Sequence, residues 1–86
     1  MGFVVYILRS ERDGSLYVGH TNDLSRRLDQ HSNPHGKGYA AKRGPWTLCH
    51  REEHPDRSSA ARRERYLKSH AGAHEKKLLA SSDSVG

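Results

Sequence analysis

A single cysteine, Cys49, rules out an intrachain disulfide and so a disulfide-stapled scaffold. It lies in the apolar run Trp46–Cys49, which fits a buried thiol, and an unclipped chain points to a reducing compartment. Long apolar runs are missing too. The densest stretch, residues 3–8 (FVVYIL), is far short of the roughly 20 residues of a membrane span and of a secretory signal, so a cytoplasmic location is expected. Met1-Gly2 opens like a myristoylation site, but Tyr6 stands where Ser or Thr is required. Only 33% of the 86 residues are apolar. A chain of this size forms one small domain, expected over residues 1–80, and buries about 60% of its unfolded surface.

Positive charge is plentiful. Fifteen Lys and Arg against ten Asp and Glu give a net charge of +5, and seven histidines add to it below about pH 6.5. Such a field draws polyanions, of which nucleic acid is the commonest and an anionic membrane the alternative; a merely basic soluble protein has the same composition. The histidines make a poor transition-metal set, because Pro34 interrupts the helical spacing of His31 and His35.

Residues 3–8 read as a strand buried on both faces, and 16–20 (LYVGH) as a second, joined through the turn signal Asp13-Gly14 into an antiparallel hairpin. Thr21, Asn22 and Asp23 offer caps for a helix over about 23–32, ended by Asn33-Pro34. Residues 34–45 read as a loop and 46–53 as a third strand. A turn and N-cap over 55–59 lead into a second helix over about 59–70, stopped by Gly72, with a short further helix over 73–80. Residues 81–86 read as a disordered tail. The order β-β-α-β-α, with the extra helix, predicts an α+β domain: a small three-stranded antiparallel sheet flanked by helices.

Three features sit oddly in this frame. On the first helix the stripe 24, 27, 28, 31 carries Arg27 and His31 among leucines. Arg27 either snorkels from the stripe edge or grips a phosphate. On the second helix Ala60, Glu64, Leu67 and Ala71 share a face, which sets a carboxylate in a stripe of small residues. Glu64 is either half of an i,i+4 pair with Lys68 or a ligand for a hard cation, since Mg²⁺ is often held by one or two carboxylates plus water and phosphate oxygens. In the hairpin, pairing of residues whose numbers sum to about 23 sets Tyr6 opposite Tyr17, with Gly19 on the same face. These are core aromatics beside a bulge, or a site approached closely through the glycine.

Taken together, the residues resemble the GIY-YIG nuclease superfamily. Val5-Tyr6-Ile7 and Tyr17-Val18-Gly19 stand as its two tripeptides. The stretch from Thr21 through Arg26-Arg27 to His31 looks like its helical motif, and Ser59 to Glu64 like the segment bearing its metal-binding glutamate. The match spans roughly residues 3–70 and is nearest to the short single-domain bacterial YhbQ/YazA-like group. The superfamily also holds excision-repair, structure-specific and homing nucleases.

The resemblance implies the GIY-YIG fold and a metal-dependent endonuclease, with DNA ahead of RNA as substrate and a role in DNA repair or processing. The implied catalytic set is Tyr6, Tyr17, Arg27, His31 and Glu64. Tyr17 is the general base, Arg27 the phosphate clamp, and Glu64 the ligand of Mg²⁺ or Mn²⁺; Tyr6 positions water or phosphate, His31 shares proton traffic, and Gly19 gives structural support. A phenol with a pKa near 10 is ionised to only about one part in a thousand at pH 7, so a phenolic base needs cations beside it. Many catalytic members carry a late asparagine; this chain has none after Asn33, as is common in the short group. Arg26, Lys37, Lys42, Arg43, Arg63 and Lys68 are the basic residues expected on the phosphate backbone, with Tyr39 and Trp46 as stacking candidates. The alternative is a non-catalytic nucleic-acid-binding module that keeps the fold, and an unidentified protein is a further candidate partner.

Overall fold

The computed structural model describes residues 2–32, with backbone alone for 30–32, and residues 45–81. The elements run β1 (Phe3–Ser10), β2 (Leu16–Thr21), α1 (Leu24–Ser32), β3 (Trp46–His54), α2 (Arg57–Lys68) and α3 (Ala73–Ser81). The α+β architecture, a three-stranded antiparallel sheet with helices against it, is the one predicted. The loop expected over 34–45, including Lys37, Tyr39, Lys42 and Arg43, lies outside the described residues apart from Pro45; so does the tail beyond Ser81.

The strand order is β2-β1-β3, both pairings antiparallel. The central position of β1 explains why it is apolar on successive residues rather than alternate ones: Val5, Tyr6, Ile7 and Leu8 are each at most 1% exposed. The hairpin closes where Ser10 N–H donates to Ser15 C=O at 2.8 Å, and Gly14 takes the left-handed conformation (φ 77°) that the turn needs. That closure sets the ladder so that paired numbers sum to 25. Tyr6 therefore faces Gly19, and Leu8 faces Tyr17. The expected Tyr6–Tyr17 pairing is corrected by two positions. Side chains alternate with period two, so an even shift keeps Tyr6, Tyr17 and Gly19 on one face.

On β3 the ladder slips: Ile7 pairs with His50 but Leu8 with Leu48, leaving Cys49 as the extra residue of a bulge. Cys49 is buried, as expected, and joins Val5, Ile7 and Val18 of the sheet, Ala60 and Leu67 of α2, and Ala80 of α3 in the core. The alanines let both helices lie close to the strands.

Helix α2 starts on Asp56, whose carboxylate accepts from Ser59 N–H at 2.8 Å. It ends at Lys68, two residues short of the expected boundary. There the Ser69 hydroxyl and N–H turn back onto Tyr66 C=O, and Gly72 N–H donates to Ser69 C=O at 3.2 Å. Ala71 is consequently exposed beyond the helix, not part of its buried face. A Cβ on Gly72 would sit 2.0 Å from the Tyr66 carbonyl oxygen and 3.0 Å from Leu67 Cα, both backbone atoms. Gly72→Ala should therefore lower unfolding free energy by about 1–3 kcal/mol, the usual cost of overpacking. Urea denaturation reads it, and a midpoint equal to that of the parent would contradict this account of the turn.

Candidate active site

The site forms where β2 ends the sheet. Gly19 makes room for it: a Cβ there would lie 2.6 Å from Tyr6 Oη, 2.8 Å from Tyr6 Cζ and 3.2 Å from a Tyr17 ring carbon. The Tyr6 ring thus lies across the glycine, and Tyr17 stacks beside it with centroids 6.3 Å apart at 28°. Trp46 leans on Tyr17 from β3 at 6.0 Å and 59°. Tyr6 is buried at 1% exposure, whereas Tyr17 is half-buried and reaches solvent. The two tyrosines of the motif therefore occupy different depths.

From α2, Glu64 comes to the same edge. Its Oε1 lies 2.5 Å from His20 Nδ1 and its Oε2 2.6 Å from Lys68 Nζ. An ionised carboxylate only accepts, so His20 presents Nδ1–H to it. Burial alone would raise the pKa of Glu64, but the bonds from Lys68 and His20 outweigh it and hold the carboxyl below its ordinary range. Lys68 also stands over the Tyr17 ring at 5.8 Å. The i,i+4 pair of Glu64 with Lys68 is present, and it borders Tyr17.

Helix α1 brings the guanidiniums. Thr21 Oγ and the Asp23 carboxylate cap it, accepting from Asp23 N–H and Arg26 N–H, each at 3.1 Å. Arg26 and Arg27 are exposed and line a polar cleft of about 240 Å³ with Thr21, Asn22 and Asp23. Leu24 and Leu28 are half-buried, so Arg27 leaves the apolar stripe at its solvent edge. The Tyr6 phenol is shifted by burial and by charge. Burial first, then Tyr17, push its pKa upward; the charge of Arg27 pulls it down and that of Glu64 pushes it up. His31 lies on α1, but its side chain is outside the described residues.

Arg63, expected on the phosphate backbone, is paired with carboxylates away from this edge. Its Nε donates to Glu52 Oε1 at 2.7 Å and its Nη2 to Glu75. His50 and His54 flank the same Glu52 at 2.9 and 3.0 Å. Neighbours on a helix differ by about 100°, so Glu64 turns to β2 while Arg63 turns to β3, at the opposite edge of the sheet.

Residues 2–78 match the model of the GIY-YIG catalytic domain. The chain belongs to the GIY-YIG family. A UPF0213 protein of Clostridium perfringens is 40% identical over 94% of this chain and 85% of its own length. A UPF0213 protein of Halobacterium salinarum is 36% identical over 87% and 96%. The solution NMR structure of a UPF0213 protein from Bacillus halodurans superimposes with a TM-score of 0.58 at 32% identity, covering 96% of this chain and 87% of that one. The short single-domain relatives are thus the UPF0213 proteins, and the GIY-YIG domain places the chain in a nuclease-type family.

Within this GIY-YIG domain the donor set fits one kind of cation. Among the described residues no three His, Cys, Asp or Glu cluster as metal ligands. At this edge Glu64 is a hard, ionised, partly buried oxygen donor, with His20 on Oε1 and the Lys68 ammonium on Oε2 at 2.6 Å. This suits Mg²⁺ or Mn²⁺ completed by water and phosphate oxygens.

His20 is the site residue that the motif reading missed. Strand alternation carries the signal: His20 follows Gly19, so it projects to the face where α2 packs and Glu64 stands.

Burial raises the Glu52 pKa, but hydrogen bonds from Arg63, His50 and His54 win and hold it at about 2, against an ordinary 4.5. A carboxyl depressed on folding stabilises the fold above its unfolded pKa, and that contribution vanishes as pH falls through the folded value. Stability should therefore decline between about pH 4.5 and pH 2. Glu52→Gln should flatten that limb, so that the two proteins converge toward pH 2. Denaturation midpoints measured across this range test it; parallel curves would contradict the network.

Proposed function

We propose that this chain is a metal-dependent endonuclease that hydrolyses phosphodiester bonds in nucleic acid, DNA ahead of RNA. The observation that carries the reading is the meeting of α2 with the hairpin: the Glu64 carboxylate, held by His20 and Lys68, stands beside Tyr17, which stacks on Tyr6 across Gly19.

The division of labour follows from depth and charge. Tyr17 reaches solvent and has the Lys68 ammonium over its ring, and these features support a role in taking a proton from an attacking water. Tyr6 is buried with its pKa raised; it stays protonated, supports Tyr17 from beneath and acts only as a neutral phenol. Arg27 is exposed at the cleft rim, where its fork can hold a non-bridging phosphate oxygen and favour the more crowded transition state. Glu64 would hold Mg²⁺ or Mn²⁺, with His20 fixing the carboxylate. When bound, such an ion supplies charge stabilisation at the phosphate and at the leaving 3′ oxygen. Lys68, which pairs with Glu64, would share that carboxylate with a bound cation and stay beside Tyr17. His31 is assigned to the proton traffic by resemblance. A single module with this charge binds mainly through phosphates, with little sequence preference. A part in DNA repair or processing and a cytoplasmic setting belong to the same proposal.

The test is cleavage by purified protein of single-stranded, duplex and branched DNA, and of RNA, with Mg²⁺, Mn²⁺ or chelator. Arg27→Ala and Glu64→Gln should each lower a metal-dependent rate by roughly 10²–10³ or more while leaving the fold intact. Unchanged cutting by Glu64→Gln would overturn the metal site. Tight binding with no cutting under any condition would leave the non-catalytic module instead.

A further inference from the structure

A second cleft opens on the helix-packed side of the sheet, between the hairpin turn and α3. It encloses about 420 Å³ and is lined by Arg9, Gly14, Leu16, Lys76, Lys77 and Ala80, among others. Its walls are largely apolar, from Leu16, Ala80 and the aliphatic stems of the basic side chains. Three cations stand around it, and among the described residues no carboxylate lines it. An apolar trough with a cationic rim matches a ligand with a flat, weakly polar body and anionic ends. A nucleotide unit in a strand has that form: a base for the walls and a phosphate on either side for the rim.

The cleft lies one residue from the candidate active site along β2, on the other face of the strand. Leu16 precedes Tyr17 on β2, and successive strand residues face opposite sides. A strand whose phosphate lies at Tyr17 therefore needs only to pass round the β2 edge to reach Leu16. A duplex cannot follow this path with its bases paired, whereas an unpaired segment can lay a base in the trough.

We infer that the cleft between the hairpin turn and α3 is a subsite for an unpaired nucleotide, with Lys76 and Lys77 on its flanking phosphates, so that the chain prefers nucleic acid containing a single-stranded stretch. This inference rests on the reading of the chain as a nucleic-acid enzyme and specifies its substrate class.

The experiment measures fluorescence anisotropy of labelled single-stranded and duplex oligonucleotides, without divalent metal, across a salt series. Lys76→Ala/Lys77→Ala is compared with Arg51→Ala/Arg62→Ala, which removes the same charge from exposed positions elsewhere. The cleft variant should lose about tenfold in single-strand affinity. Its slope of log K against log salt should fall by about 1.4, from roughly 0.7 per phosphate contact. The control should stay within about twofold, and duplex binding should change less than single-strand binding. Equal losses in both variants, or an equal loss on duplex, would overturn the subsite. So would lysine-dependent binding to phosphatidylserine vesicles without any effect on oligonucleotides. Cleavage by the parent protein is read in parallel. Cutting that leaves the two variants indistinguishable in binding removes the subsite alone. A cleft effect in a protein that cuts nothing keeps the subsite and removes the hydrolytic reading.

Discussion

A carboxylate taken partly out of water needs partners, and Glu64 of α2 meets that demand at the edge of the sheet. His20 of β2 binds one oxygen and Lys68 the other, so the acid stays ionised where burial alone would favour its protonated form. This one arrangement ties α2 to β2 and sets Lys68 over Tyr17. The missing side chain of Gly19 lets the tyrosines lie flat across β2 and so allows the two faces of the strand to serve a common site.

The helix carrying this acid faces two ways. Its Glu64 side builds the candidate site, and its Arg63 side locks α2 to β3 and α3 through Glu52 and Glu75. The second contact braces the first, since a helix held at both edges of a three-stranded sheet has little freedom to roll. A domain of this size has a small core of Val, Ile, Leu and Ala, and polar bracing of this kind supplements it. Membership of the GIY-YIG family gives the scaffold and the nuclease class; the chemistry proposed for this chain rests on its own side chains.

Much of this was legible in the sequence, for physical reasons that can be named. The run Val4–Leu8 lacks alternation, which marks a strand covered on both faces, and β1 is central. The shared face of Tyr6, Tyr17 and Gly19 survived an error of two in register because strand periodicity is two. Other features needed the fold. Arg63 and Glu64 are adjacent in a basic helix, and only the packing angle of α2 decides which meets which edge strand. Ala71 fits the buried stripe by spacing but lies beyond the turn at Ser69. His20 was within reach through alternation, yet the tripeptide ends at Gly19 and drew attention away from its neighbour.

The central claim is that Glu64 holds a divalent cation beside Tyr17 and His20. Paramagnetic broadening by Mn²⁺ in amide-resolved NMR tests it directly. The account predicts that substoichiometric Mn²⁺ bleaches signals around Gly19, His20 and Glu64, and that the pattern disappears in Glu64→Gln. Bleaching centred on His50, Glu52 and His54, or a pattern indifferent to the Glu64 substitution, would contradict it.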